Sequence, residues 1–257
     1  MSEKINVTVF CEHNQDRYEP VKSVYPDGMH ETIADAFRGF PEFEVIHIAT
    51  QDMPEHGLTS DVLEKTDVLV WWSHLDNPQF DDDVSDRVIK RIVEGGMGFL
   101  CLHSSIFSKP WQKILGIFID AGAWGRFRTM PKGEKQRVWV TAPGHPITAG
   151  LGEYVEIPQD EMYGEPQLMP EPDRTVFISW WEGGEVGRSG CVFERGRGKL
   201  FQFTPGHEEF PIYYQEEVRL IMRNAVKFLA PAKGVKIAPM VDGHLDNSPL
   251  EDLSHRE

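Results

Sequence analysis

DVLVWWSH (67–74) is an apolar run of strand character that ends in a polar residue and a histidine. FLCLHSS (99–105) repeats the pattern and delivers His103. Between them, DDDVSDRVIKRIVEGG (81–96) reads as a helix. Its acidic start suits the positive end of a helix dipole, and Gly95-Gly96 ends it. Strand, helix and strand in this order imply a right-handed crossover between parallel neighbours. In an open parallel sheet, ligands bind in the loops at the carboxyl ends of strands. His74 and His103 fall there.

The segments upstream extend the same alternation. INVTVFCE (5–12) is short and β-branched and reads as a buried first strand. PDGMHETIADAFRGF (26–40) reads as a helix, with Met29, Ile33, Ala36 and Phe37 at helical spacing and a stop near Gly39. FEVIHIAT (43–50) is the second strand, and PEHGLTSDVLEKT (54–66) holds a short helix behind an N-cap at Thr59 or Ser60. Strands alternating with helices at this pitch predict an α/β fold with a mainly parallel central sheet.

The second half is less regular. QRVWVTA (136–142) and TVFISWW (175–181) read as strands, separated by a long loop with short elements over 144–173. GCVFERGRGKLFQFTPG (190–206) reads as a hairpin turning near Gly196 and Gly198, and EEVRLIMRNAVKFLA (216–230) as a final amphipathic helix. The expected organisation is one α/β domain over 1–232 and a polar tail over 233–257.

The chain has 257 residues, 40% of them hydrophobic, which suffices for one large core. Its formal net charge of -15 argues against nucleic acid, whose phosphates need clustered Lys and Arg, and against an anionic membrane surface. Cys11, Cys101 and Cys191 are too few and too widely spaced for a disulfide framework. No signal peptide is evident, and no apolar stretch approaches the roughly 20 residues that span a bilayer. A cytoplasmic protein is the expectation.

Chemistry concentrates at a few places. FQFTPGHEEF (201–210) hands a third histidine, His207, to a loop after an aromatic run. His74, His103 and His207 together predict a shared pocket. Each alone would read as a structural histidine bonded to a carbonyl. Glu12, at the polar end of the first strand, joins the three as a candidate metal ligand. The set is rich in nitrogen donors, which makes zinc the first guess for a divalent cation. Glu161 and Glu165 in QDEMYGEP (159–166), and Glu208 beside His207, are candidate acid/base carboxylates, with His103 as their partner. The glycines and prolines around QDEMYGEP predict a loop docked over the pocket. Arg188, Arg195 and Arg197 are expected to pair with the protein's own carboxylates. Trp71, Trp72, Trp180 and Trp181 are expected in the core, one ring of each pair facing away and free to line a pocket.

These stretches resemble the trehalose-utilisation family ThuA. The resemblance runs through VYPDGMHETIA, EHGLT, DVLVWWSH, GMGFLCLHSS, FSKPWQKILG, HPITAGL, EMYGEP, GGEVGRSGC and RGRGKLFQFTPGHE, in order up to about residue 230. It implies a flavodoxin-like three-layer sandwich of the class I glutamine amidotransferase type. It places His103 at the elbow where that fold carries a nucleophilic cysteine, with Cys101 two residues earlier in the strand. Glutaminase chemistry is therefore not expected. SHLDNPQF and AWGRF depart from the family pattern. The resemblance implies catabolism of trehalose or related disaccharides, through 3-keto sugars. A small-molecule sugar is the expected partner, with a homo-oligomer as one open form of assembly. Two other readings stay open: a non-catalytic sugar-responsive or assembly module, and a hydrolase using Cys101.

Overall fold

The computed structural model describes residues 4–118 and 125–232. The expected tail at 233–257, and part of AWGRF, lie outside the described residues.

The first half alternates as its sequence pattern requires. Strand β1 (Ile5–Cys11) is followed by helices α1 (Glu19–Val24) and α2 (Met29–Asp35), then β2 (Phe43–Thr50), α3 (Ser60–Lys65), β3 (Val68–Trp72), α4 (Asp82–Val93), β4 (Gly98–Leu102) and α5 (Lys109–Leu115). The rest is mostly strand: β5 (Arg126–Thr129), β6 (Gln136–Val140), β7 (Tyr154–Ile157), β8 (Glu161–Gly164), β9 (Arg174–Trp181), β10 (Val186–Arg195) and β11 (Gly198–Phe203), closed by α6 (Glu216–Leu229).

Nine strands form one sheet in the order β2-β1-β3-β4-β11-β10-β9-β6-β7. The pairs from β2 to β11 are parallel, and those from β11 to β7 are antiparallel. Alternating direction from β11 onward turns only β10 and β6 against the rest, so the sheet is mostly parallel. The order β2-β1-β3-β4-β11 is that of a flavodoxin-like fold, with its switch point between β1 and β3.

Side chains on a strand alternate between faces. Val68, Val70 and Trp72 enter one apolar layer with Met29 and Ile33 of α2 and Val218, Ile221 and Met222 of α6. Leu69 and Trp71 enter the other with Leu63 of α3, Val84, Val88 and Ile92 of α4, and Trp111 of α5. Burial on both faces is why β3 and β4 read as unbroken apolar runs. Helix α4 places Asp82 and Asp83 in its first turn and Lys90 and Arg91 in its last, which complements its dipole.

Several expectations need correction. The helix expected over 26–40 shortens to α2, starting after Gly28 at φ 88°. The short helix expected within 54–66 is present as α3, with Thr59 as its N-cap accepting from the Val62 N–H. The four residues EMYG are a strand, not a loop, because they pair antiparallel with Arg126–Thr129. Trp71 and Trp72 are both fully buried, so neither ring faces a pocket. The arginine expectation is met in part: Arg188 pairs with Glu165 at 2.7 Å and Arg195 with Asp173 at 3.3 Å, whereas Arg197 donates to the Glu94 carbonyl. Cys101 is buried on β4 as a free thiol, and burial pushes its pKa up, away from nucleophilic thiolate. Among the described residues no helix is long and apolar enough to cross a membrane.

Candidate functional site

Parallel pairing of β3, β4 and β11 brings three carboxyl ends side by side, and each releases a histidine. The ring centroids of His74, His103 and His207 lie 6.1 Å (74–103), 5.6 Å (74–207) and 5.5 Å (103–207) apart. His103 opens a turn directly after β4 with φ at 50°, a conformation uncommon for a non-glycine residue and held here by the packed strands around it. Serines fix the neighbouring loop: Ser104 and Ser105 donate to the carbonyls of Ser73 and Trp71, and the Ser73 N–H donates to Ser105 Oγ. Gly206 precedes His207. A Cβ there would fall 2.1 Å from the Tyr213 hydroxyl, so only glycine lets the chain pass.

Hydrogen bonds assign the imidazole protons. His103 Nδ1 sits 2.8 Å from the Thr204 carbonyl and must donate to it, which leaves Nε2 facing the site. That Nε2 lies 3.4 Å from Glu161 Oε2 and 3.4 Å from the Tyr163 hydroxyl, and the Tyr163 ring stacks on the imidazole. His74 Nδ1 donates to Glu208 Oε1 at 2.9 Å. His207 Nδ1 accepts the Glu209 N–H at 3.2 Å, so its Nε2 points between Glu208 Oε2 at 3.6 Å and Glu161 Oε2 at 4.0 Å. Glu161 Oε2 and Glu208 Oε2 are buried and have no hydrogen-bond partner.

Burial works against charge on His103, but the nearby Glu161 and Asp160 carboxylates outweigh it and raise its pKa. Burial would raise Glu161, yet His103 holds it below the ordinary carboxylate range. Glu208 is held down to about 2 because His74, and then His207, outweigh its burial. Burial pushes His207 down to about 4, and His103 adds to the effect. A base depressed from 6.5 to about 4 stabilises the fold above 6.5, and that stability is lost as pH falls through 4. EDTA-treated protein is therefore expected to lose on the order of 3 kcal/mol from this group between pH 6.5 and 4. His207→Asn, whose amide oxygen can still accept the Glu209 N–H, should flatten that slope in urea melts. An unchanged slope would assign the acid lability to other groups.

The structure gathers His74, His103, His207, Glu161 and Glu208 but separates the other two candidates from them. Glu12 uses both oxygens on protein donors: the His74 and Leu75 N–H groups and the Gln15 side chain. It positions the His74 loop. Glu165 lies past the end of β8, where it accepts from Arg188 and from the Gln167 N–H. Glu161 and Tyr163 share a strand face, whereas the expected partner Glu165 falls where the strand has ended.

Asp160 has a role that no sequence pattern marks. It is fully buried and accepts the N–H groups of Gly206 and His207 at 3.1 and 3.0 Å. Its place beside Glu161 in QDEMYGEP was the only available signal.

A cleft of about 620 Å³ opens onto His74, Glu161 and Tyr163. Its other walls include Leu75, Phe107, Ile117 and Phe127, with Lys109 and Gln112 from α5. Apolar walls and a polar end suit a small organic ligand.

The donor set also fits a divalent cation. His74, His207 and Glu208, and separately His103, Glu161 and His207, each place one ligand atom within 4.8 Å of the others. The two unpartnered carboxylate oxygens would gain the partner they lack.

The ThuA family model, described as trehalose utilisation, matches residues 6–229. Among solved structures, a protein from Parabacteroides merdae described as ThuA-like aligns with a TM-score of 0.61 at 14% identity, covering 91% of this chain and 94% of that one. A second protein so described, from Bacteroides uniformis, gives 0.58 at 15% identity, with 88% and 91% covered. A cytoplasmic protein from Salmonella typhimurium LT2 gives 0.58 at 14%, with 88% and 100% covered. At such identities the likeness is one of fold. No curated protein matches the chain.

Proposed function

This chain belongs to the ThuA family, and from its site we propose that it acts in trehalose utilisation as an acid/base enzyme on a keto-disaccharide. One observation carries the reading: two buried carboxylate oxygens that make no hydrogen bond converge on three imidazoles behind a cleft that His74 and Glu161 line. Such groups are costly to keep unless they meet a substrate or a cation.

The reaction class is proton transfer next to a carbonyl. Glu161 Oε2 takes a proton from the carbon beside the keto group. His103 Nε2, protonated and 3.4 Å from that oxygen, delivers a proton to the carbonyl oxygen, and an enediol results. Thr204 fixes the His103 ring through Nδ1, and Tyr163 covers one ring face against water. The sugar lies along the cleft with Phe127 and Phe107 offering apolar surface to its ring faces. His74, His207 and Glu208 would hold a divalent cation, zinc first, and when bound that ion would polarise the carbonyl.

The test uses 3-ketotrehalose in D2O, followed by proton NMR. Enzyme-dependent exchange of the hydrogens flanking the keto carbon is expected. Binding of the sugar without exchange would instead make the chain a non-catalytic sugar-responsive module.

A further inference from the structure

The residues after β1 carry another histidine–aspartate cluster, sharing no member with the strand-end site. His13 Nε2 lies 3.8 Å from Asp16 Oδ2, and His30 Nδ1 lies 3.4 Å from the same oxygen. The two rings meet edge to face with centroids 5.1 Å apart. One ligand atom from each residue falls within 4.8 Å of the others. On the outer side, His13 Nδ1 stands 3.4 Å from Asp52 Oδ2.

Three features distinguish this cluster from a chance meeting of polar side chains. Asp16 Oδ2 and His30 Nδ1 are both shielded from solvent and lack a hydrogen-bond partner. The Asp16 side chain is only 10% exposed, and its other oxygen accepts the Met29 N–H, which aims Oδ2 at the imidazoles. The backbone is shaped for the contact. His13 is held at φ 70°, and Gly28, at φ 88°, leaves room for the His30 ring where a Cβ would come within 2.4 Å of its Cε1.

We propose that His13, Asp16 and His30 bind a divalent transition-metal ion, zinc first, and so clip the segment after β1 to the start of α2. Two imidazole nitrogens and one carboxylate oxygen suit zinc better than calcium or magnesium, which take oxygen ligands. Ligand atoms about 2.0–2.2 Å from a tetrahedral zinc stand roughly 3.4 Å apart. The separations of 3.4 and 3.8 Å to Asp16 Oδ2 match that geometry. Asp52 then plays the orienting part, taking the Nδ1 proton of His13 while Nε2 faces the ion.

The experiment measures zinc bound per chain, by elemental analysis and calorimetry, on EDTA-stripped full-length protein titrated with zinc chloride. Asp16→Asn keeps the oxygen that accepts the Met29 N–H. His13→Asn keeps a residue that tolerates the left-handed backbone. Each should lose one equivalent present in the wild type, or bind it at least tenfold more weakly. Glu208→Gln, in the other site, should retain that equivalent. Zinc should raise the melting temperature of the wild type by more than that of Asp16→Asn, whose strand-end site is intact, and should still raise that of Glu208→Gln. The proposal is overturned if both cluster variants bind zinc like the wild type. It is also overturned if the wild type binds none, or if the only equivalent disappears in Glu208→Gln. In that last case the strand-end site alone would hold the metal.

Discussion

Glu161→Gln is expected to slow proton exchange on the keto-sugar by roughly 10²–10⁴-fold, the usual worth of a positioned acid/base group. The substitution keeps the shape of the side chain and removes only the charge and the basic oxygen. Glu161 lies on β8 with Oε2 buried, unpartnered and 3.4 Å from His103 Nε2. No core packing is lost, so the melting temperature should move by only a few degrees. Glu165→Gln is the matched control: its carboxylate serves Arg188 and not the imidazoles. It should leave the exchange rate unchanged and, for a pair near the surface, cost about 1 kcal/mol or less. Equal rates for Glu161→Gln and the wild type, measured by NMR, would remove Glu161 from the reaction.

Asp160→Ala is expected to destabilise the protein by about 3 kcal/mol, since the two amides it accepts from would be buried and unpaired at about 1–3 kcal/mol each. In a chain of this size that corresponds to a melting temperature lower by about 10 °C. Turnover should fall too, because the Gly206 and His207 amides held by Asp160 place the His207 ring. The loss should depend on pH in a definite direction. Burial raises the Asp160 pKa to about 6, against the pull of His103 and the amides. An acid raised above its ordinary 3.8 contributes stability that is full below that value and lost as pH rises through about 6. The deficit of the variant should therefore be larger at pH 5 than at pH 8. A deficit that grows with pH would mean that Asp160 is stabilised as the anion.

The outcome for QDEMYGEP explains what could be read from sequence and what could not. Its glycine and flanking prolines predict a loop, and that loop would present Glu161 and Glu165 as a pair. Strand character arrived only through pairing with Arg126–Thr129, a partner some thirty residues upstream. That pairing turns Glu161 and Tyr163 toward His103. Glu165, past the strand end, goes to Arg188 on β10 instead. Glu12 shows a similar limit. Its place at the end of β1 was evident, but its bonds to the His74 and Leu75 amides exist only because β1 and β3 are neighbours.

By itself the sequence determined the alternation of strands and helices in the first half, because apolar periodicity and turn residues are local signals. It also determined that His74, His103 and His207 all stand at strand ends, and parallel order then made their convergence a consequence of the fold. Tertiary structure alone decided which carboxylates join them. A carboxylate's role depends on what lies within about 4 Å, and side chains that close come from strands distant in sequence. It alone buried Asp160 under His207 and set His13, Asp16 and His30 around one point. No local pattern marks such a cluster, because its members are joined by how the chain turns after β1 and not by their spacing.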